Sequence, residues 1–283
     1  TDWRMDPNQG RRKYYGSPAT ENSAIKVRNS CLLPSFKVVS TKVTRASAGQ
    51  GQYQAEIDFI DGNEKSGANP QSVTATLRHD GKSQDLTGAA LSVDANGHVK
   101  INATGLADGK YTLVVHGKTK SGQSGDSTNL VFWVEAEQFS WKDAVIYMAM
   151  TDRFRDGDPS NNAPATPNAD PRGDWKGGDL QGLKASIADG TLDALGIRAI
   201  WLTPFQTNPS TAYMASDNVH QVTGYHGYWP IKAREVDPRI GGSDALKAMV
   251  KEAHAHGIRI LQDYVVNHVH KEHEYVKSHP EWF

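Results

Sequence analysis

The hydrophobic period of this chain changes once, near Trp141, and that change restricts the fold more than any other feature. From Phe36 to about Glu137 apolar residues alternate with period two. Tyr53, Ala55, Ile57 and Phe59 share one strand face, as do Tyr111, Leu113 and Val115, and Leu130, Phe132 and Val134. Turn pairs separate these runs: Asp61-Gly62, Asp80-Gly81, Asn96-Gly97 and Asp108-Gly109. The Asn-Gly pair between Leu91-Ser-Val93 and Val99-Lys-Ile101 predicts a hairpin. Short strands at this spacing predict an all-β immunoglobulin-like sandwich over residues 36–138. Residues 1–35 are polar and Gly/Asn/Arg-rich and read as an irregular arm.

After Trp141 the pattern is β-α-β-α-β. Ala144 to Met150 is a continuous apolar run, as expected of a strand covered on both faces. A helix is predicted from about Leu180 to Leu195, with Leu183, Ile187, Leu192 and Leu195 inward, followed by a strand over 197–202. Ser243 is the predicted cap of a second helix carrying Leu246, Met249, Val250 and Ala253 at i, i+3, i+4, i+7. Gly257 stops it, and a third strand runs to Asp263. Alternation of this kind over residues 139–283 builds a parallel sheet.

With 31 basic and 32 acidic residues in 283, the net charge of −1 removes the electrostatic footprint of a nucleic-acid binder. No apolar run reaches the roughly 18 residues of a membrane span. The single Cys31 offers no disulfide framework within the chain. The start at Thr1, without Met, suggests processing or trimming.

Three polar constellations carry the chemistry. Asp156-Gly-Asp158-Pro-Ser-Asn161-Asn162 clusters hard oxygen donors in a turn, as a Ca2+ loop does, although these residues are also plain turn formers. An EF-hand is excluded, because its sixth and twelfth positions would be Asn161 and Pro167. Tyr225-His226-Gly-Tyr228-Trp229 sets aromatic faces beside hydrogen-bonding tips, a combination suited to a sugar ring. Asp263-Tyr-Val-Val-Asn267-His268 ends the third strand, at the rim where barrels keep their chemistry. Asp152, Asp170 and Asp174 read as surface or turn residues. His268, His270 and His273 also spell His-x-His-x-x-His, which leaves a His-ligated zinc hydrolase as an alternative; His270 and His273 read as part of a solvated segment.

Together these segments resemble the α-amylase family of glycoside hydrolases, over about half of the chain. The resemblance implies that residues 139–283 are the N-terminal part of a (β/α)8 TIM barrel, ending near the start of a domain inserted after its third strand. The enzyme it implies is a retaining hydrolase acting on α-1,4-glucans such as starch and maltooligosaccharides. It implies Ca2+ held by Asp156, Asp158, Asn161, Asn162, the Gly177 carbonyl and Asp179, the last two from a Gly-Gly-Asp segment like that of cyclodextrin glucanotransferases. Asn267 resembles a ligand of a second calcium. His226, Tyr228 and His268 resemble the residues holding the sugar whose bond is cut, with Tyr228 stacking on it. Trp229 then supports the loop, and Asp263 is an orienting carboxylate paired with an arginine. The family's acid, nucleophile and assisting Asp follow its fourth, fifth and seventh strands, so no catalytic residue is expected in this chain. The rest of the enzyme is expected as a second chain or nicked fragment, and the location as extracellular or periplasmic. A non-catalytic glucan-binding protein is the other alternative. The sandwich reads as a structural extension, with Trp133 in its core.

Overall fold

The computed structural model describes residues 33–62 and 65–283, with the backbone of β1 (Trp3–Met5) and β2 (Arg12–Tyr14). Those two strands pair antiparallel where an irregular arm was expected. Cys31 and most of the arm lie outside the described residues. The chain forms two compact units, Thr1–Gln138 and Phe139–Phe283.

In the first unit β3 (Ser35–Arg45), β4 (Gly51–Ile60), β5 (Ala68–His79), β6 (Lys82–Asp85), β7 (Leu91–Val93), β8 (His98–Leu106), β9 (Gly109–Thr119) and β10 (Thr128–Val134) form two four-stranded antiparallel sheets. Their orders are β3-β4-β8-β7 and β10-β9-β5-β6. Alternate residues of both sheets meet in one core. Tyr53, Ala55 and Ile57 of β4 lie with Val99 and Ile101 of β8 against Leu113, Val115 and Phe132. Tyr53 stacks on Phe132 with ring centroids 3.7 Å apart. Trp133 is half-buried rather than core, because strand alternation turns it away from its neighbours Phe132 and Val134.

Two of the four turn pairs close hairpins, in different ways. Asp80 and Gly81 both have positive φ and join His79 to Lys82, the two-residue turn that matches strand twist. At Asn96-Gly97 only the glycine is left-handed. The Asp94 carbonyl accepts from Gly97 N, and its carboxylate accepts from the amides of Asn96 and His98. The register Leu91↔Ile101, Val93↔Val99 follows.

In the second unit β11 (Val145–Ala149), β12 (Ile197–Leu202) and β17 (Arg259–Gln262) form a parallel sheet in chain order. The short α1 (Thr151–Phe154), α2 (Leu180–Ala188) and α3 (Thr191–Ala194) lie between the first two strands, and α4 (Gly242–Ala255) precedes the third. The predicted helix from Leu180 to Leu195 is thus two helices, because Gly190 turns left-handed between them, and Leu195 is 63% exposed. Ser243 does not cap α4; Gly241, at φ +101°, holds that position. Leu183, Ile187, Met249 and Ala253 pack with Ile200 and Leu202 on one sheet face. The other face is open: Ile146 and Met148 are each 48% exposed and Trp201 42%. Met148, Trp201 and Leu261 stand at one level there.

The loop between β12 and α4 carries two small ladders, β13 (Gln206–Thr207) with β16 (Lys232–Val236) and β14 (Tyr213–Met214) with β15 (Gln221–Val222). After β17 comes α5 (Glu274–Ser278).

Candidate functional site

The aromatic loop is built onto the carboxyl end of β12. Gly227 has φ +85°, and a Cβ there would lie 1.9 Å from the Pro204 carbonyl oxygen, so only glycine admits this approach. Buried Asn208 clamps the loop: its Nδ2 donates to the Gln206 and Gly227 carbonyls, and its Oδ1 accepts from Trp229 N. Its own amide donates to Asp237, a buried carboxylate paired with Arg239. Trp229 packs edge-on against His226, 4.8 Å between centroids, and so backs the loop.

The polar tips converge at the end of β17. The Tyr228 hydroxyl donates to Asp263 Oδ2 at 2.6 Å, and His268 Nε2 donates to the Tyr228 carbonyl at 3.0 Å. Asp263 is thus tied to this tyrosine. Burial and the neighbouring carboxylate push the Tyr228 phenol up to about 12, so it stays protonated and remains a donor. His226 Nδ1 accepts from Tyr228 N at 3.0 Å; an amide can only donate, so the imidazole proton sits on Nε2. Burial, reinforced by the Arg153 charge, lowers His226 to about 4 and keeps that ring neutral. The cluster therefore presents a neutral imidazole N–H, an aromatic ring and an exposed second imidazole side by side. Such a surface can hydrogen-bond sugar hydroxyls without introducing a buried charge.

The acidic loop is held by hydrogen bonds of its own. Asp179 is the N-cap of α2: its carboxylate accepts from Gly182 N at 2.6 Å, Gly157 N, Asp158 N and Asn161 Nδ2. Four donors fill its acceptor positions, so here it acts as a staple between loop and helix. Asp158 Oδ1 accepts from the Ser160 amide and hydroxyl, which hold the carboxyl below its usual range. Asn162 Nδ2 donates to Asp156 Oδ2 at 2.7 Å. Gly177, at φ +83°, fits closely over Asn162, where a Cβ would lie 2.5 Å from Oδ1.

One atom of the loop suits a hard cation. Asn161 Oδ1 is buried and has no hydrogen-bond partner, an orphan acceptor of the kind a cation satisfies. Asp156, Asn162 and Gly177 crowd one side of the loop. Asn267 is exposed, and its side chain reaches only His268, at 3.5 Å.

The histidine triplet does not converge. His268 faces Tyr228, while His270 packs on Tyr213 and Trp229. His273, expected to be solvated, is 0% exposed, with Nδ1 accepting from Tyr275 N at the start of α5. Among the described residues no three His, Cys, Asp or Glu side chains are grouped to hold a metal.

Asp152 and Asp174, read as surface or turn residues, are both buried. Asp152 is 1% exposed and accepts from the Lys176 and Gly177 amides. Asp152, Arg153 and Asn208 carry much of the site's geometry; Asn208-Pro209 is a turn signal that could have drawn attention to one of them, and no motif points to Arg153.

Residues 148–281 match the alpha amylase catalytic domain. A domain of this kind is a TIM barrel, and the parallel β11-β12-β17 sheet with its helical crossovers accords with one. The curated relatives are amylase-family enzymes. A cyclomaltodextrin glucanotransferase of Bacillus sp. (strain 1-1) is 35% identical over 127 residues, 44% of this chain and 17% of that protein. The periplasmic alpha-amylase of Escherichia coli (strain K12) is 32% identical over 168 residues, 56% of this chain and 25% of its own length. Among solved structures, an alpha-amylase from Anoxybacillus shares 32% identity, covering 51% of this chain and 28% of that one at a TM-score of 0.42. The chain thus spans a quarter or less of the curated relatives it matches. No described helix is long and apolar enough to cross a membrane.

Proposed function

We propose that this chain is the N-terminal part of an α-amylase-type retaining glycoside hydrolase acting on α-1,4-glucans. Its first unit would be an immunoglobulin-like extension and its second the opening strands of the catalytic barrel. The observation that carries the reading is the meeting of His226, Tyr228, Asp263 and His268 at the carboxyl ends of β12 and β17, inside the segment that matches the catalytic domain. His226 and His268 would bind hydroxyls of the sugar at the cleavage point, and Tyr228, fixed by Asp263, would lie along its ring. The acid and nucleophile would come from strands outside this chain, either in the same polypeptide or in an associated one. Those strands would also cover the open face of Ile146, Met148 and Trp201.

The orphaned Asn161 Oδ1 supports a calcium site in the acidic loop. Asp156, Asp158, Asn161, Asn162 and the Gly177 carbonyl would hold it, with Asp179 serving as cap and staple beside them. The ion would supply charge that ties the loop to the start of α2. Asn267 would join a second site completed by other residues. A periplasmic relative supports an extracytoplasmic location.

The test is the release of reducing ends from soluble starch by the full-length protein. His268→Ala is expected to lower turnover at least about tenfold with the melting temperature kept. Asp156→Ala should lower that temperature in calcium but not in chelator. Glucan binding without reducing ends would overturn the hydrolase reading, and unchanged kinetics would remove His268 from the subsite.

A further inference from the structure

Arg153 occupies the junction between the acidic loop and the aromatic loop, and nothing in the sequence motifs singles it out. Its guanidinium donates to the Asp152 carboxylate, and its Nη2 to the Arg172 and Asp174 carbonyls at 3.1 and 2.9 Å. Its Cζ lies 3.8 Å from the centroid of the Tyr225 ring. A planar cation satisfied at its edge and stacked on its face is fixed in orientation, which an ammonium could not reproduce. Buried Asp152 meanwhile grips the Lys176 and Gly177 amides. Neighbouring backbone bonds tie the same segments together: Asp170 N donates to the Gln221 carbonyl and Thr223 N to the Gly173 carbonyl, just before Tyr225. The Tyr225 ring lies 5.3 Å from that of His226.

We infer that Arg153 is a positioning residue for the glucan subsite: it seats the Tyr225 ring, and through it sets the orientation of His226 and the loop carrying Tyr228. This deepens the proposed function and rests on it. The charge of Arg153 also bears directly on His226, whose ring lies beside those of Tyr225 and Tyr228.

A purely structural ion pair between Asp152 and Arg153 would leave Tyr225 irrelevant to its effect, so a double-mutant cycle separates the two roles. Removing the charge would strand buried Asp152, so the arginine is changed to lysine, which preserves the ion pair but loses the planar fork. The partner change is Tyr225→Leu, which leaves Arg153 and Asp152 untouched. In the full-length protein each is expected to lower kcat/KM for a maltooligosaccharide about tenfold, mostly in kcat. The double variant should fall no further than either single one, and Tyr225→Phe, which retains the ring, should keep most of the activity. Independently of turnover, the His226 imidazole nitrogen signals should shift in Arg153→Lys and Tyr225→Leu. Additive losses in the cycle, or an unmoved His226 signal, would overturn the proposal. If the wild-type protein releases no reducing ends, the hydrolase reading falls, and the His226 signal still decides whether Arg153 orders the loop.

Discussion

The two units handle apolar surface in opposite ways. In the sandwich, strand alternation sends one side of each inner strand into a shared core and the other to solvent, so the core of Tyr53, Ile57, Val99, Leu113 and Val115 is closed by the unit's own strands. In the parallel-sheet unit α2 and α4 close one face only, and Ile146, Met148 and Trp201 stand half-exposed on the other. Continuous apolar strands are written for cover on both sides, whereas alternating strands need it on one. The site follows the same division: its polar tips lie at the ends of the parallel strands, held by buried polar side chains such as Asn208 and Asp237.

The strongest way to break this comparison is to separate the units. Residues 36–138 alone should unfold cooperatively on heating, while residues 139–283 alone should bind an apolar dye and melt broadly. Equal cooperativity in both would remove the contrast. A milder probe is a pair of truncations in the full-length protein. Ile57→Ala should cost about 2–5 kcal/mol, since it opens a cavity in a closed core. Met148→Ala should cost at least about 2 kcal/mol there if the open face is covered as proposed. A loss under about 0.5 kcal/mol would mean that Met148 stays at the surface. Gly227→Ala addresses the site directly. Left-handed backbone and the contact with the Pro204 carbonyl should together cost about 3 kcal/mol or displace the aromatic loop, visible as lost glucan affinity.

The smallest effect is pH-dependent and confined to the second unit. His226, His270 and His273 are all lowered, mainly by burial, so the folded state holds neutral rings that the unfolded chain would protonate. For His226 the stabilisation is complete above about pH 6.5 and is lost as pH falls toward about 4. After allowance for partial exposure it amounts to about 2 kcal/mol, readable from denaturant midpoints across that window. A flat profile would show that the ring is solvated.

Legibility in the sequence differed between the units for a physical reason. The sandwich rests on a period that each strand displays locally, so the buried faces of Tyr53–Phe59 and Tyr111–Val115 could be read directly. Trp133, read as core for its size, lies between Phe132 and Val134 and so falls on the opposite face, as the same period dictates. The gap at Gly190 and the unused cap at Ser243 turn on single backbone angles. In the second unit the motif residues His226, Tyr228, Asp263 and His268 were visible as residue types, and the structure brings them together. Their supports were not visible: Asp152 meets Lys176 and Gly177, Asn208 meets Gly227 and Trp229, and Arg153 meets Tyr225, each across a long loop. Burial of His273 was masked by the charged residues on either side of it.

The most direct test of the account is a histidine-nitrogen spectrum of the full-length protein titrated with a maltooligosaccharide. The signals of His226 and His268 should move together and saturate, while those of His79, His98 and His116 in the sandwich stay fixed. Saturable shifts confined to the sandwich histidines, or no shifts at His226 and His268 under conditions of glucan turnover, would contradict it.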